Sequence, residues 1–360
     1  MKILVIGINI RHIACSASRA GHEVIAVDCF CDLDLESCAK ATFQMPRNVS
    51  ESSISNYVER FRPDAVVLGP GLEEAHVQDA AQGVPVLNNS EKIVAKVSDK
   101  LWLARWLEEN GFPAIKTKSE PSGLEFPFLV KPRKGAGGVG CRLVKNAADL
   151  DWTDDLIAQE YVCGKPSSVS VIGNGQAARA VAANEQLVGE TWAGAEGFRY
   201  VGNITPLADG RCGMIRMAEE IVAGLGLVGS NGVDFLQTPR GPVVVEVNSR
   251  FQGSLDAVEK ATGLNIFQAH LESFAGDLPR RPCPRGAFGR AIIYAGRDTE
   301  ISEDLRSIGD WIADVPRPGS RMSKGEPILS IFAEGCSRDE VYSKLEERAA
   351  QIYRRIAFKI

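Results

Sequence analysis

Residues 128–140, Phe-Leu-Val-Lys-Pro-Arg-Lys-Gly-Ala-Gly-Gly-Val-Gly, and residues 243–250, Val-Val-Val-Glu-Val-Asn-Ser-Arg, hold the side chains best suited to chemistry. In the first, an apolar run that reads as a strand ends in Lys131 and opens into a loop with almost no side chains. Gly135, Gly137, Gly138 and Gly140 let that backbone close over phosphates. In the second, Glu246 and Asn248 stand two residues apart on a strand, so both leave the same face. A held ammonium, mobile amides and paired hard oxygen ligands suit a nucleoside triphosphate carrying Mg2+. The loop lacks Gly-Lys-Ser/Thr and is therefore no Walker-type P-loop.

Residues 232–248 read as a hairpin: Gly232 to Leu236, a turn within Thr238-Pro-Arg-Gly241, then Pro242 to Asn248. Val243, Val245 and Val247 are expected to point into a core, leaving Glu246 and Asn248 on the other face. An odd loop places Asp234 opposite Glu246, and three oxygen donors then converge as ligands for one or two Mg2+ ions. A two-residue loop puts Asp234 on the wrong side. Arg250, just beyond, is placed to neutralise a transferring phosphoryl group. The plain alternative is an ordinary hairpin with a solvated polar face.

These groups need a scaffold. Apolar strands at 2–8, 23–28, 64–69 and 85–88 alternate with helical stretches at 10–20, 53–61 and 73–82, implying a parallel sheet covered on both faces. Residues 1–92 are therefore expected to form a small α/β domain. Its first turn, Gly7-Ile-Asn-Ile-Arg11, is not Gly-x-Gly-x-x-Gly, which leaves dinucleotide binding little support. Loops at the carboxyl ends of such strands still take ligands, so Asn9 and Arg11 are candidates for substrate contact; a helix cap and a surface arginine are the alternative. Residues 93–280 read as α+β. A helix from Ser98 to about Asn110 turns Leu103, Trp106 and Leu107 inward, and a lid is expected at about 114–162. Further strands are expected at 167–173, 178–184 and 188–192. Residues 281–360 are expected to form a small α+β domain with strands at 287–294 and 326–333. Its last helix opens with the capping box Ser337-Arg-Asp-Glu340 and buries Val341, Leu345, Ala349 and Ile352.

Composition narrows the function classes. A formal net charge of −5 argues against a general nucleic-acid binder. No run approaches the ~18 apolar residues of a membrane span. Nine scattered cysteines fit reduced thiols and a cytoplasmic protein better than a disulfide framework, and Cys29, Cys31 and Cys38 lack metal-site spacing. His12, His22, His76 and His270 match no triad or zinc pattern and are assigned no chemistry.

Lys100, Lys131, the glycine loop, Glu160-Tyr-Val162, Asp234 and Glu246-Val-Asn248-Ser-Arg250 together resemble the ATP-grasp superfamily in order and spacing, over about residues 1–335. The Glu–Asn step is similar to that of biotin carboxylase and the purine-synthesis carboxylate ligases. The start of the chain resembles archaeal-type ATP-grasp proteins described as predicted carboligases. The resemblance implies that Lys100 and Lys131 contact the α- and β-phosphates. It implies that the backbone of Glu160, Tyr161 and Val162 meets adenine, and that Asp234, Glu246 and Asn248 hold Mg2+ or Mn2+. Arg250 would steady an acyl phosphate. Where many relatives place an acidic ribose contact, this chain has Ser167, Ser168 and Ser170, which leaves the group in that role open, and Ser168 is a candidate nucleotide contact.

The same resemblance implies a mixed α/β and α+β fold and an ATP-dependent carboxylate–amine ligase. A carboxylate is activated as an acyl phosphate, an amine displaces phosphate, and ADP is released. Arg199, in the segment 197–203, is the candidate grip for a second carboxylate, with a surface arginine as the alternative. Two other readings stand beside the ligase. One is a carboxylase working through carboxyphosphate, although no biotin-carrying Met-Lys-Met segment is present. The other is a non-catalytic ATP-binding regulator. A weak link to cofactor biosynthesis and a homodimer usual for similar folds complete the expectations.

Overall fold

The computed structural model describes residues 1–46, 51–72, 77, 79–209 and 211–357. The strands Ala41–Gln44, Glu23–Asp28, Lys2–Gly7 and Ala65–Leu68 lie in that order in a four-stranded sheet, every pair parallel. Ile3 to Ile6 are fully buried, as a strand covered on both faces requires. The Ala41–Gln44 strand was not expected. The expected 85–88 strand reduces to a single bridge from Val86 to Val66. Of the helix expected at 73–82, residues 73–76 and 78 lie outside the described residues, His76 among them, and 79–83 are turns.

A small antiparallel sheet occupies the region expected as a lid. Its order is Thr117–Lys118, Leu156–Glu160, Phe128–Pro132, Arg142–Val144. Phe128 and Val130 are buried in the core of this lobe, which sends the alternate residues Leu129 and Lys131 to the opposite face. The preceding helix, Lys100–Glu109, is capped by Asp99, whose carboxylate accepts from the Leu101 and Trp102 amides and is gripped by Arg133 at 2.6 Å.

The remaining long strands form one eight-stranded antiparallel sheet. It runs from Gly241–Asn248 through Val228–Thr238, Lys165–Asn174, Ala178–Val188 and Tyr200–Thr205 to Ala287–Tyr294, Pro327–Gly335 and Ile312–Ala313. The sheet crosses residue 281 without interruption, because Ala287–Tyr294 pairs with Tyr200–Thr205. The expected strand at 188–192 is instead the end of Ala178–Val188, turned at Gly189 into a short 3-10 segment, Thr191–Ala193.

The final helix, Arg338–Ala357, keeps one half of the expected capping box, the Glu340 amide donating to Ser337 Oγ at 3.2 Å, while the Glu340 carboxylate accepts from the Cys336 amide at 2.8 Å, one residue before the cap. Val341, Leu345, Ala349 and Ile352 are fully buried against the sheet. The cysteines depart from expectation. Cys15 on the helix Arg11–Arg19 forms a disulfide with Cys38, which follows the 3-10 turn Leu35–Ser37 packed on that helix. Sequence spacing gave no sign of it, because packing of the turn on the helix makes the pair.

Candidate active site

The hairpin that carries the expected metal ligands resolves its own ambiguity. Thr238 pairs with Gly241, so the turn has two residues, the case expected to misplace Asp234. A β-bulge corrects it. Phe235 pairs with Val244 but Asp234 pairs with Glu246, leaving Val245 as the extra residue. The slip of one residue reverses which side chains face inward. Val244 and Val247 join the core, whereas Val243 is half-buried and Val245 lines the cavity, correcting the expected Val243–Val245–Val247 face. Asp234, Glu246 and Asn248 then share one side, with Asn248 Nδ2 donating to Asp234 Oδ2 at 3.2 Å.

All three line a cavity of about 780 Å³ between the large sheet, the small antiparallel sheet and the loops of the parallel sheet. Burial, the neighbouring Glu246 charge and a hydrogen bond shared with Glu246 push the Asp234 carboxyl up to about 8, against the pull of Gln186 and Arg250. The donor set fits a divalent cation: two carboxylates and an amide oxygen on one face, with one carboxylate protonating for want of positive charge. Gln186 also lines this wall and was missed in the sequence, since nothing local distinguishes a polar residue late in an ordinary strand; Tyr200, from the segment 197–203, lines it too.

Lys131 faces the same space, 8% exposed. Burial and the nearby Lys100 lower its pKa, while Glu246 opposes them. Lys100 Nζ donates to the Gly135 carbonyl at 2.5 Å, tying the helix start to the glycine loop. Gly135, Gly137, Gly138 and Gly140 all adopt positive φ. At Gly138 (φ 75°) a Cβ would collide with the Phe198 carbonyl, so the close approach of two backbones demands glycine there. The Tyr200 amide donates to the Gly137 carbonyl at 3.2 Å, which docks the loop onto the segment expected to meet substrate.

Glu160, Tyr161 and Val162 line the cavity where the strand Leu156–Glu160 leaves the lid. Ser168 lies across from Asp234 in the sheet, lines the cavity and accepts from Asn184 Nδ2 at 3.2 Å. Arg250 lines the cavity and donates to the Phe251 carbonyl at 3.1 Å. Of the three substrate candidates only Asn9 is a cavity residue. Arg11 is buried in ion pairs with Asp256 at 2.6 Å and Asp314 at 2.9 Å. Arg199 stacks its guanidinium over the Tyr294 ring, 4.1 Å from the centroid.

Residues 97–254 match the family model of the ATP-grasp domain. The chain carries an ATP-grasp domain. An uncharacterized protein of Methanocaldococcus jannaschii is 25% identical over 97% of this chain and 92% of its own length. The 3-methyl-D-ornithine–L-lysine ligase of Methanosarcina barkeri is 25% identical, with 61% of each chain covered. In fold, the ATP-grasp chain is similar to biotin carboxylase from Campylobacter jejuni, with a TM-score of 0.79 at 17% identity, covering 95% of this chain and 89% of that one. Among the described residues no helix is long and apolar enough to cross a membrane.

Proposed function

We propose that this ATP-grasp protein is an ADP-forming carbon–nitrogen ligase that activates a small-molecule carboxylate and joins it to an amine. The observation that carries the reading is the meeting of Asp234, Glu246, Asn248 and Lys131 on the wall of one cavity. The relative named as a ligase of two amino acids supports the carbon–nitrogen bond. A carboxylate is a poor electrophile, and phosphoryl transfer from ATP converts it to an acyl phosphate whose phosphate an amine can displace. Lys100 and Lys131 hold the phosphates, the loop 135–140 covers them, and the backbone of Glu160 to Val162 meets the base with Ser168 near the sugar. Arg250 offsets charge on the transferring group. A divalent cation on Asp234, Glu246 and Asn248 would supply further neutralisation of the phosphate oxygens.

The test is ADP release measured over a matrix of carboxylates and amines with Mg2+ present. The ligase reading expects ADP and phosphate in step with amide formation, and only when a carboxylate and an amine are both supplied. Turnover that needs bicarbonate and no amine would replace it with carboxyphosphate chemistry. Tight ATP binding without turnover on any pair would favour the regulator.

A further inference from the structure

The cavity extends past the phosphate face to an end lined by Asn9, His12, Phe30 and Asp32 from the first domain and by Arg290 and Asp314 from the large sheet. Asp28, Asp32, Asp34, Asp256 and Asp314 gather around it with Arg11 and Arg290, so five carboxyl groups face two guanidinium groups. Arg11 is committed to Asp256 and Asp314, and Arg290 reaches Asp314 at 2.8 Å while its Nε has no hydrogen-bond partner among the described residues. Asp28 is occupied with the backbone amides of Ile10, Phe30 and Cys31, and Asp34 with those of Asp314 and Val315. These bonds fix the loop after the strand Glu23–Asp28 and leave Asp32, 5% exposed, in the cavity wall.

Among the described residues Asp32 has no ion-pair partner at salt-bridge distance. Burial and the charges of Asp314, Asp28 and Asp34 push its carboxyl up to about 8, with Arg11 opposing. His12 supplies no charge either, because burial lowers its ring to about 3 and keeps it neutral. Its ring is 3% exposed, and neither nitrogen has a hydrogen-bond partner among the described residues. A neutral imidazole offers one donor and one acceptor, so this wall presents an unmet acceptor on His12, unmet donors on His12 and Arg290, and more carboxyl groups than guanidinium groups. An anion is repelled there. A group that brings positive charge and several N–H donors satisfies both needs at once.

We propose that Asp32 and His12 form a subsite that recognises the amine substrate by its positive charge, the class being a primary amine or the amino group of an amino acid in its protonated form. The inference rests on the ligase reading and gives the amine substrate a binding site; the bound ammonium attacks the acyl phosphate only after passing one proton to the Asp32 carboxylate, which frees the nitrogen lone pair.

The test uses the full chain loaded with MgADP and calorimetric titration with lysine, 1,4-diaminobutane and ethylamine. Hydroxyl counterparts and glutarate serve as the uncharged and anionic controls. At least one ammonium probe binds, its hydroxyl counterpart binds at least about tenfold more weakly, and Asp32→Asn weakens the ammonium probe by a similar factor. MgADP affinity stays unchanged in that variant. Equal binding of amine and hydroxyl probes, unchanged amine affinity in Asp32→Asn, or no ammonium binding to a MgADP-loaded chain would each overturn the subsite while leaving the ligase reading intact. Failure of the wild-type chain to bind MgADP removes the ligase reading and the subsite with it. If Asp32→Asn does not fold, as judged by circular dichroism, His12→Phe is decided by the same criterion.

Discussion

Where the helix Arg11–Arg19 meets the large sheet, Asp256 and Asp314 lie buried against Arg11 and Arg290; on the hairpin, Asp234 and Glu246 lie side by side, with the Asn248 amide donating to Asp234. Burial alone would raise the Asp234, Asp256 and Asp314 carboxyl groups. At the junction, Arg11 and Arg290 outweigh burial and hold Asp256 below, and Asp314 well below, the usual carboxylate range. On the hairpin, burial and the neighbouring carboxylate win, and Asp234 rises to about 8. The first group carries its own counter-charge and works as a joint between the first domain, the helix Leu255–Thr262 and the sheet. For the second, Lys131 and Arg250 do not offset burial, and we infer that a bound cation supplies the rest of the counter-charge. Carboxylates that the fold leaves uncompensated mark a binding site more reliably than carboxylates that merely cluster.

The comparison breaks most visibly at the joint. Arg290→Met should cost about 3–5 kcal/mol of stability, read by urea unfolding, because it strands buried carboxylates. A loss below about 1 kcal/mol would mean the joint is not electrostatic. On the hairpin, Glu246→Gln should lower ADP release by roughly 10²–10³-fold. In metal-free buffer the same variant should be no less stable than wild type, since it removes a repulsion. Matching destabilisation in the two variants would erase the distinction.

Proton linkage sharpens it further. A carboxyl whose folded pKa is raised stabilises at low pH and loses that contribution as pH rises from about 3.9 towards its folded value. For Asp234 that value is about 8, so metal-free protein should lose stability over this window. Saturating Mg2+ with ADP should restore it at pH 8, visible as a rise in Tm. A flat pH profile without metal would count against the shifted carboxyl. The smallest effect is a control: Ser337→Ala should cost about 1 kcal/mol by loss of a cap. It touches neither cluster and should add to either variant within about 0.5 kcal/mol.

The sequence made short-range chemistry readable. Alternation along one strand put Glu246 with Asn248, and a strand running into glycines marked Lys131 and its loop. Pairing between strands was harder. The two-residue turn argued against Asp234 facing Glu246, and only the bulge at Val245, which no local signal announces, brings them together. Contacts across hundreds of residues were out of reach. Arg11 was legible as a residue near a ligand-binding loop end, but its partners Asp256 and Asp314 come from distant parts of the chain. Tertiary packing over shorter separations hid His12 and Asp32 as lining of one cavity and the Cys15–Cys38 bond, 23 residues apart, and no local signal announced the continuity of the large sheet through residue 281.

Mn2+ can stand in for Mg2+ and be followed by electron paramagnetic resonance, which reads the hairpin face directly. In the presence of ADP, the wild-type chain should take up Mn2+ and quench the free-ion signal, and Asp234→Asn with Glu246→Gln should bind it at least about tenfold more weakly. Equal Mn2+ uptake by the wild type and the double variant would contradict the claim that these two carboxylates await a cation.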